Sequence, residues 1–317
     1  MARRELGPAT LAVVQAVDAA LIPAGVRLVV ACSGGADSLA LSYAVGHLAR
    51  RREWAWTAVV VDHQLQPGSA EVAARARDQL DDLGCPDVQV LRVDVDPDAR
   101  GGPEAAARDA RYAALATVAR RIGGTVLLGH TLDDQAETVL LGLARGSGLR
   151  SLAGMAVRSG SLLRPLLALR RVTTVQTCHE IGLDPWSDPH NEDPRFTRVR
   201  VRQRVLPTLE AELGPGAAES LARTAALARD DTDLLDRLAA EADPGTDELA
   251  ADLLLALPRA LRTRVIRRWL ARLGAVEVTL SHVIRVEDLV TQWRGQGQAD
   301  LPGLSVRRVQ GSLRTVP

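Results

Sequence analysis

Short apolar runs alternate with helical patterns through the first half of this 317-residue chain, and this alternation restricts the fold more than any other feature. Buried strands rich in valine and leucine are predicted at Val26–Cys32, Ala55–Asp62, Val88–Val95 and Thr125–Gly129. Helical periodicity separates them, at Ser38–Arg51, Ser69–Leu83 and Pro103–Ile122. A β-α-β-α succession predicts an α/β fold whose parallel sheet is covered on both faces, with ligands at the carboxyl ends of the strands.

The pattern changes after about Leu213, where Gly214-Pro215-Gly216 breaks the chain. Helices are predicted at Ala217–Ala242, with an apolar stripe of Leu227, Leu234 and Leu238, and then at Pro258–Leu273 and Thr279–Trp293. A closing hairpin is predicted from Leu304–Val309 and Ser312–Val316. We therefore predict two domains, an α/β domain at 1–213 and a mostly helical domain at 214–317.

Composition excludes several classes of protein. The 39 basic residues are all arginines and are balanced by 39 acids, so arginine abundance alone is weak evidence for nucleic-acid binding. The absence of lysine excludes a Walker A loop. No apolar run reaches the ~18 residues of a membrane helix, and Asp18 and Arg27 interrupt the N-terminal stretch that would form a secretion signal. Cys32, Cys85 and Cys178 lie far apart with no CxxC pair, so we expect a cytoplasmic protein without a cysteine metal site.

The segment Ser33-Gly34-Gly35-Ala36-Asp37-Ser38 follows the first predicted strand and opens a helix. Its glycines let a phosphate chain approach the backbone, and the N–H groups at the start of the helix favour an anion. Ser33 and Ser38 add hydroxyl donors, whereas Asp37 suits a contact through magnesium. The alternative is a tight turn in which Asp37 or Ser38 caps the helix. The complete strand–SGGADS–helix context favours phosphate binding.

An acidic cluster follows His130, at the end of the fourth predicted strand. Asp133 and Glu137 share one face of the next helix, and because two carboxylates repel each other this spacing predicts a cation between them. Either Mg²⁺ or the ammonium group of a substrate would serve. Capping of the helix explains Asp133 and Asp134 but leaves Glu137 unexplained.

Three further sites each allow two interpretations. Asp62, at the end of the second strand, suits the nucleoside part of ATP, or it belongs to an ordinary Asp–His turn. Arg108 and Arg111 suit phosphate contacts, or they lie on a solvated helix face. The basic run Arg198–Arg202 suits contacts with RNA or phosphate, or it is a solvated basic helix face.

The motif SGGADS resembles the signature of PP-loop ATPases, which cleave ATP between the α- and β-phosphates and adenylate an oxygen. Other stretches resemble the tRNA(Ile)-lysidine synthetases within that superfamily. Three of these stretches each differ from the family pattern at one residue. In VDHQL at 61–65, Gln64 replaces a glycine, and in GHTLDDQAET at 129–138, Thr131 replaces a histidine. In RVRVR at 198–202, Val199 replaces an asparagine. EAAARDARY at 104–112, RGSG at 145–148, RPLL at 164–167 and the WSDPHNED loop at 186–193 follow the family pattern.

The resemblance implies ligation of L-lysine to the C2 position of the wobble cytidine in a tRNA(Ile) with a CAU anticodon, through an adenylated tRNA. ATP would lie on residues 33–38, Asp62 and Arg108. Magnesium would lie on Asp37 and Asp133. The catalytic set it implies is Asp37, Arg111, His130, Asp133, Asp134 and Glu137. The chain is expected to be a short form without a further C-terminal domain, and a homodimer is compatible with the sequence, which does not fix the oligomeric state.

Within the C-terminal third, Leu301-Pro302-Gly303 and Arg307-Arg308 resemble the substrate-binding domain of the same family. Arg264, Arg268 and Arg272 form a helical ridge that we predict to contact tRNA phosphates, with a solvated surface as the alternative.

Two other functions compete with lysine ligation. A PP-loop tRNA thiolase needs reactive cysteines, and here Cys32 adjoins the loop but no CxxC follows. A non-catalytic nucleotide-binding regulator would have no need of the acidic helix beside the loop.

Overall fold

The computed structural model describes residues 6–21, 27–64, 66, 68–95, 102–146 and 148–316. Val26, Leu65 and Ser147, which belong to the segments predicted above, lie outside these ranges. The chain divides into two compact units, one formed by Met1–Ala144 and Gly154–Thr224 and the other by Arg145–Ala153 and Ala225–Pro317. Across the described ranges, none of the helices is both long enough and apolar enough for a membrane span.

The first unit contains a six-stranded sheet in the order β3-β2-β1-β4-β6-β5. Its strands are β1 (Arg27–Ala31), β2 (Ala55–Asp62), β3 (Val88–Arg92), β4 (Thr125–Leu127), β5 (Arg158–Ser159) and β6 (Leu162–Leu163). Strand β1 pairs in parallel with both β2 and β4, which confirms the predicted α/β fold. The order of the strands reverses between β1 and β4, so the carboxyl ends of these two strands form the crevice where such sheets bind ligands.

The helices, in chain order, are α1 (Pro8–Ala20), α2 (Ala36–Arg52), α3 (Ser69–Asp82), α4 (Pro103–Ile122), α5 (Leu132–Ala144), α6 (Leu149–Leu152), α7 (Arg171–Ile181), α8 (Thr197–Arg200), α9 (Leu206–Leu213), α10 (Ala217–Ala242), α11 (Ala251–Ala256), α12 (Arg259–Arg272) and α13 (Leu280–Thr291). On one face of the first sheet, Val13 of α1 and Leu41 of α2 pack in a common core with Val30 of β1. On the other face, Leu115 of α4 packs with Val29. The sheet is therefore covered on both sides, as its apolar strands require.

Strand β4 ends two residues before the predicted Gly129, because the chain there runs against the start of α2. A Cβ atom on Gly129 would lie 2.9 Å from the carbonyl oxygen of Asp37. Only glycine fits this close approach, which brings the segment after β4 next to the segment after β1.

Residues 197–213 are helical throughout, but a π-helical turn at Val201–Val205 separates α8 from α9. Pro207 lies in the first turn of α9 and has no N–H group for the regular helical hydrogen bond. Such turns are common at functional sites, and this one carries Arg202.

The second unit has a four-stranded antiparallel sheet in the order β7-β10-β9-β8, from β7 (Leu249–Ala250), β8 (Gln298–Leu301), β9 (Leu304–Val309) and β10 (Ser312–Val316). The predicted hairpin has its predicted bounds, with Ser312 opposite Val309. The predicted apolar stripe on α10 is wrong. Leu227, Leu234 and Leu238 are exposed, and small residues such as Ala225 and Ala239 form the buried face.

Candidate functional site

The segment Ser33–Ser38 forms a closed turn at the carboxyl end of β1. Ser38 Oγ donates to the carbonyl oxygen of Gly35 at 2.9 Å and accepts from the backbone N–H of Ser33 at 3.1 Å. Gly34 has a φ of 81°, and a Cβ atom there would lie 3.2 Å from Cβ of Ala76. The Ser38 hydroxyl therefore stabilises the turn itself, while Ser33 is exposed and its hydroxyl has a longer contact of 3.4 Å with Ser38 Oγ. Gly35 precedes α2 without a side-chain cap, so the first N–H groups of the helix face the turn.

Asp37 lies in the first turn of α2 and is held at both carboxylate oxygens. Thr174 Oγ1 donates to Oδ1, and Arg171 Nε donates to Oδ2 at 3.3 Å. Burial raises the pKa of Asp37, and the charge of Arg171 together with the Thr174 hydrogen bond opposes part of that rise. The sequence did not single out Thr174 or Arg171.

The acidic cluster forms the first two turns of α5. Asp134 Oδ2 accepts from both the backbone N–H and the hydroxyl of Thr131, at 2.8 and 2.9 Å. Thr131 is fully buried, so the residue that departs from the family pattern serves as a hydrogen-bond donor that fixes Asp134. For Asp134, burial acts to raise the pKa, but the charge of Arg171 and the Thr131 hydrogen bonds outweigh it and the pKa is lowered.

Arginines lie against Asp133 and Glu137, where the spacing predicts Mg²⁺ or a substrate ammonium group between the two acids. Asp133 accepts from Arg170 Nε at 3.2 Å and from the backbone N–H of Arg171 at 2.7 Å. Glu137 is fully buried and accepts from Arg202 Nε at 2.6 Å. Arg198 Nε lies 3.2 Å from the other oxygen of Glu137. These pairs account for an acidic helix that capping alone left unexplained.

A cavity of about 130 Å³ lies beside this cluster in the first unit. Its lining combines charges of both signs with apolar side chains: Asp133, Glu137, Arg170, Arg202, Leu206, Pro207, Glu210 and Ala218. A cavity with both acids and arginines matches a ligand that carries both charges, such as an amino acid.

His130 lies between the acidic cluster and a group of arginines. Burial, with smaller effects of Arg164, Arg111 and Arg108, lowers the pKa of His130 to about 4, against the attraction of Asp134. Its Nδ1 atom is buried and has no hydrogen-bond partner within the described residues. The imidazole is therefore neutral near pH 7 and has a nitrogen available for a ligand.

Arg108 and Arg111 both lie over the ring of Tyr112, at 5.1 and 5.5 Å from its centroid. Burial lowers the pKa of Arg111, and the charges of Arg108 and Arg198 lower it further. The Nε atom of Arg111 is buried without a hydrogen-bond partner among the residues that the structure describes. A partly buried group of like charges with an unused donor is the environment that an anion such as phosphate would stabilise.

Asp62 is buried at the end of β2, where Oδ1 accepts from the backbone N–H of Gln64 at 3.0 Å and Oδ2 lies 3.9 Å from Arg92 Nε. The structure therefore places it in an Asp–His turn, and it joins none of the ion pairs around Asp37. Gln64 has a φ of 56°, a left-handed conformation that favours glycine and explains why a glycine suits this position.

The loop at 186–193 contacts the phosphate turn through the backbone N–H of Trp186, which donates to the carbonyl oxygen of Gly34 at 3.0 Å. Gln66 donates to Asp188 at 3.0 Å within the same loop. This loop therefore packs against the phosphate turn and stabilises the backbone at Gly34.

The arginine ridge of the second unit is paired with acids. Arg264 Nε donates to Asp236 at 3.0 Å and Arg272 Nη1 donates to Asp243 at 2.8 Å, while Arg268 lies 3.7 Å from Asp243. These contacts favour a structural role over the predicted tRNA contacts. By contrast, the exposed Arg307 on β9 has no acidic partner within residues 148–316.

Comparison with known proteins identifies both parts of the chain. A family model described as a PP-loop domain matches residues 12–209, and one described as a TilS substrate binding domain matches residues 249–314. The tRNA(Ile)-lysidine synthase of Leifsonia xyli is 52% identical over 302 residues, covering 92% of this chain and 90% of that protein. The proteins of the same name from Thermobifida fusca and Salinispora tropica are 53% and 50% identical, and cover 89% and 98% of this chain and 89% and 97% of their own lengths.

Among solved structures, the U34-tRNA thiolase NcsA of Methanococcus maripaludis, determined with its 4Fe–4S cluster, superposes with a TM-score of 0.58. It is 17% identical, and the match covers 68% of this chain and 77% of the thiolase. At that identity the likeness concerns the fold alone.

Proposed function

Because the chain belongs to the tRNA(Ile)-lysidine synthase family, we propose that it ligates L-lysine to C2 of the wobble cytidine in a tRNA(Ile) with a CAU anticodon, using ATP. The cytidine C2 oxygen attacks the α-phosphorus of ATP and pyrophosphate leaves. The lysine ε-amine then forms a bond to C2, the C2–O bond breaks, and AMP carries the oxygen away. The observation that carries this proposal is the meeting of the phosphate turn and the acidic helix at one edge of the sheet, through Arg171.

The phosphate turn supplies the electrostatics of the first step. The free N–H groups at the start of α2 and the Ser33 hydroxyl are donors for the pyrophosphate as charge develops on it. Arg108 and Arg111 add positive charge, and the unused Nε of Arg111 is the donor best suited to a phosphate oxygen. Asp62 stays our candidate for the nucleoside end of ATP.

Magnesium fits Asp37 better than Asp133. Asp37 is about one quarter exposed and lies beside the phosphate turn, and Mg²⁺ takes one or two carboxylates together with substrate phosphates. Both carboxylates have a donor on each oxygen, so the preference for Asp37 rests on its place beside the phosphate turn. No cluster of three potential metal ligands occurs in the described part of the chain. Bound Mg²⁺ would neutralise charge on the departing pyrophosphate.

The cavity beside α5 is our proposed site for L-lysine. Asp133 is paired with Arg170, and Glu137 is paired with Arg202. The ammonium and carboxylate groups of a bound lysine would therefore exchange with these pairs, the ammonium group at an acid and the carboxylate at an arginine. Neutral His130 would accept a hydrogen bond from the ε-amine and orient it for attack, since the burial that lowers its pKa to about 4 makes it a weak base at neutral pH. Asp134 holds the start of α5 in place and so positions both His130 and the acids Asp133 and Glu137.

The thiolase alternative lacks a reactive thiol. Cys32 and Cys178 are buried, and all three cysteines are free. Burial raises the pKa of Cys32, raises that of Cys85 to about 11 and raises that of Cys178 to about 12. Thiols of this kind hold their protons at neutral pH and are poor nucleophiles. A non-catalytic regulator leaves the acidic helix and its cavity without a purpose.

We assign nucleotide chemistry to residues 1–213 and tRNA binding to residues 214–317. A cytoplasmic location completes the proposal, and a homodimer is compatible with it. Light scattering on the purified chain tests the assembly.

The direct test is transfer of labelled L-lysine to a transcript of tRNA(Ile) with a CAU anticodon, in the presence of ATP and Mg²⁺. We expect lysine in the tRNA and a modified cytidine with the mass of lysidine in the nuclease digest. A methionine tRNA transcript, which shares the CAU anticodon, is the matched control and should remain unmodified. Sulfur in place of lysine, or no modification by a folded protein, contradicts the proposal.

A further inference from the structure

One guanidinium group joins acids from two different helices of the site. Arg171 Nε donates to Asp37 of α2 at 3.3 Å, and its Nη2 donates to Asp134 of α5 at 2.6 Å. Its Nη1 lies 3.6 Å from Glu137. The side chain is 25% exposed, so these contacts are formed largely out of water, where they are stronger than surface pairs.

The first turn of α7 fixes this guanidinium in place. Arg171 is the first residue of α7, and its own backbone N–H donates to Asp133 at 2.7 Å. One turn later, Thr174 donates to the oxygen of Asp37 that Arg171 leaves free. Because both oxygens of Asp37 are bonded to α7, the carboxylate cannot rotate without breaking one of these bonds.

We propose that Arg171 is a positioning residue for adenylate transfer, which holds the Asp37 carboxylate in a fixed orientation beside the phosphate turn. This inference rests on the proposed function. The planar fork of arginine can bond Asp37 and Asp134 at once, whereas lysine offers the same charge at a single point. Arg171 therefore acts through Asp37 and does not itself contact the reacting atoms.

The test measures pyrophosphate release in a single turnover with tRNA and ATP but without lysine, so that adenylation alone is observed. Arg171→Met should lower the rate constant by at least about 30-fold and change the KM for ATP by less than about threefold. Arg171→Lys should recover at least about fivefold of that loss, because lysine restores the positive charge but not the planar guanidinium group that bonds two carboxylates at once. Arg77→Met, which removes an exposed pair with Asp81 on α3, is the matched control and should match the wild type.

A double variant separates positioning from a merely structural role. If Arg171 acts through Asp37, then Asp37→Asn combined with Arg171→Met should be slower than Asp37→Asn alone by less than about threefold. If Arg171→Met does not fold, Arg171→Lys takes its place in the cycle with the same expectation.

Three results would overturn the inference. They are an unchanged rate in the folded single variant, a loss confined to the KM for ATP, and effects that multiply in the double variant. A wild-type protein that releases no pyrophosphate would instead contradict the proposed function.

Discussion

Arginine–carboxylate pairs occur in both units, but they lie in different surroundings. In the first unit the acids Asp37, Asp134 and Glu137 converge from two helices on Arg171, beside a turn with free backbone donors. In the second unit the ratio is reversed, because Asp236 is shared by Arg150 and Arg264 and Asp243 is shared by Arg268 and Arg272. We infer that several acids around one cation next to a ligand site indicate chemistry, whereas arginines that together neutralise one acid indicate packing.

The largest effects should follow changes to two acids of the site, Asp37 beside the phosphate turn and Asp133 beside the cavity. Asp37→Asn and Asp133→Asn should each lower kcat by at least ~10²-fold, because these carboxylates act on charge that develops during the reaction. Steady-state lysine transfer measures this. Asp81→Asn, at an exposed pair on α3, is the control. Near wild-type turnover of Asp37→Asn would refute its proposed magnesium role.

A smaller effect is expected for Arg307, which is exposed and has no acidic partner within residues 148–316. Arg307→Ala should raise the KM for tRNA by about three- to tenfold and flatten the salt dependence of tRNA binding by up to ~0.9, the value for one lost phosphate contact. Filter binding at several salt concentrations measures both. An unchanged salt slope would place the RNA contacts elsewhere, with Arg198–Arg204 as the next candidate.

The paired ridge should behave in the opposite way. Arg264→Ala should cost about 1 kcal/mol of unfolding free energy, since Asp236 loses one of its two arginine partners, and should change the KM for tRNA by less than about twofold. Urea denaturation measures the change in unfolding free energy, and a tRNA titration measures the change in KM. A clear loss of tRNA affinity without a loss of stability would restore the ridge as an RNA surface.

The smallest effect concerns Gln64 and its left-handed backbone. Gln64→Gly relieves the strain of a non-glycine residue there but adds backbone entropy to the unfolded chain, so we expect a net gain of up to about 1 kcal/mol. Thermal denaturation should show a slightly higher Tm with unchanged turnover. A lower Tm would mean that the Gln64 side chain stabilises the folded protein by more than its left-handed backbone conformation destabilises it.

Local patterns predicted most of the first unit. The α/β alternation, the phosphate turn and the acidic helix are continuous in sequence, and each has its own periodicity or spacing. Arg170, Arg171 and Thr174 lie more than thirty residues from the acids that they bind. In a chain with 39 arginines, no local pattern identified Arg170 and Arg171 as residues of the site. Their position just after RPLL is the one signal that the sequence offered.

The second unit shows why a hydrophobic spacing alone can mislead. Leu227, Leu234 and Leu238 have helical spacing, yet they are exposed, because alanines allow the closer approach on the opposite face of α10. Arginine spacing on α12 was equally real, but the acids that neutralise it come from α10 and from the segment after it. Spacing identifies a helix face, whereas its partner depends on contacts distant in sequence.

The nucleotide products test the central claim, that the first unit adenylates a tRNA for lysine ligation, most directly. The chain should release one AMP and one pyrophosphate for each lysine transferred, with neither product formed in the absence of tRNA. This stoichiometry follows from a phosphate turn that has no lysine for γ-phosphate chemistry. ADP and inorganic phosphate as the products, or AMP formed without lysine transfer to tRNA, would contradict it.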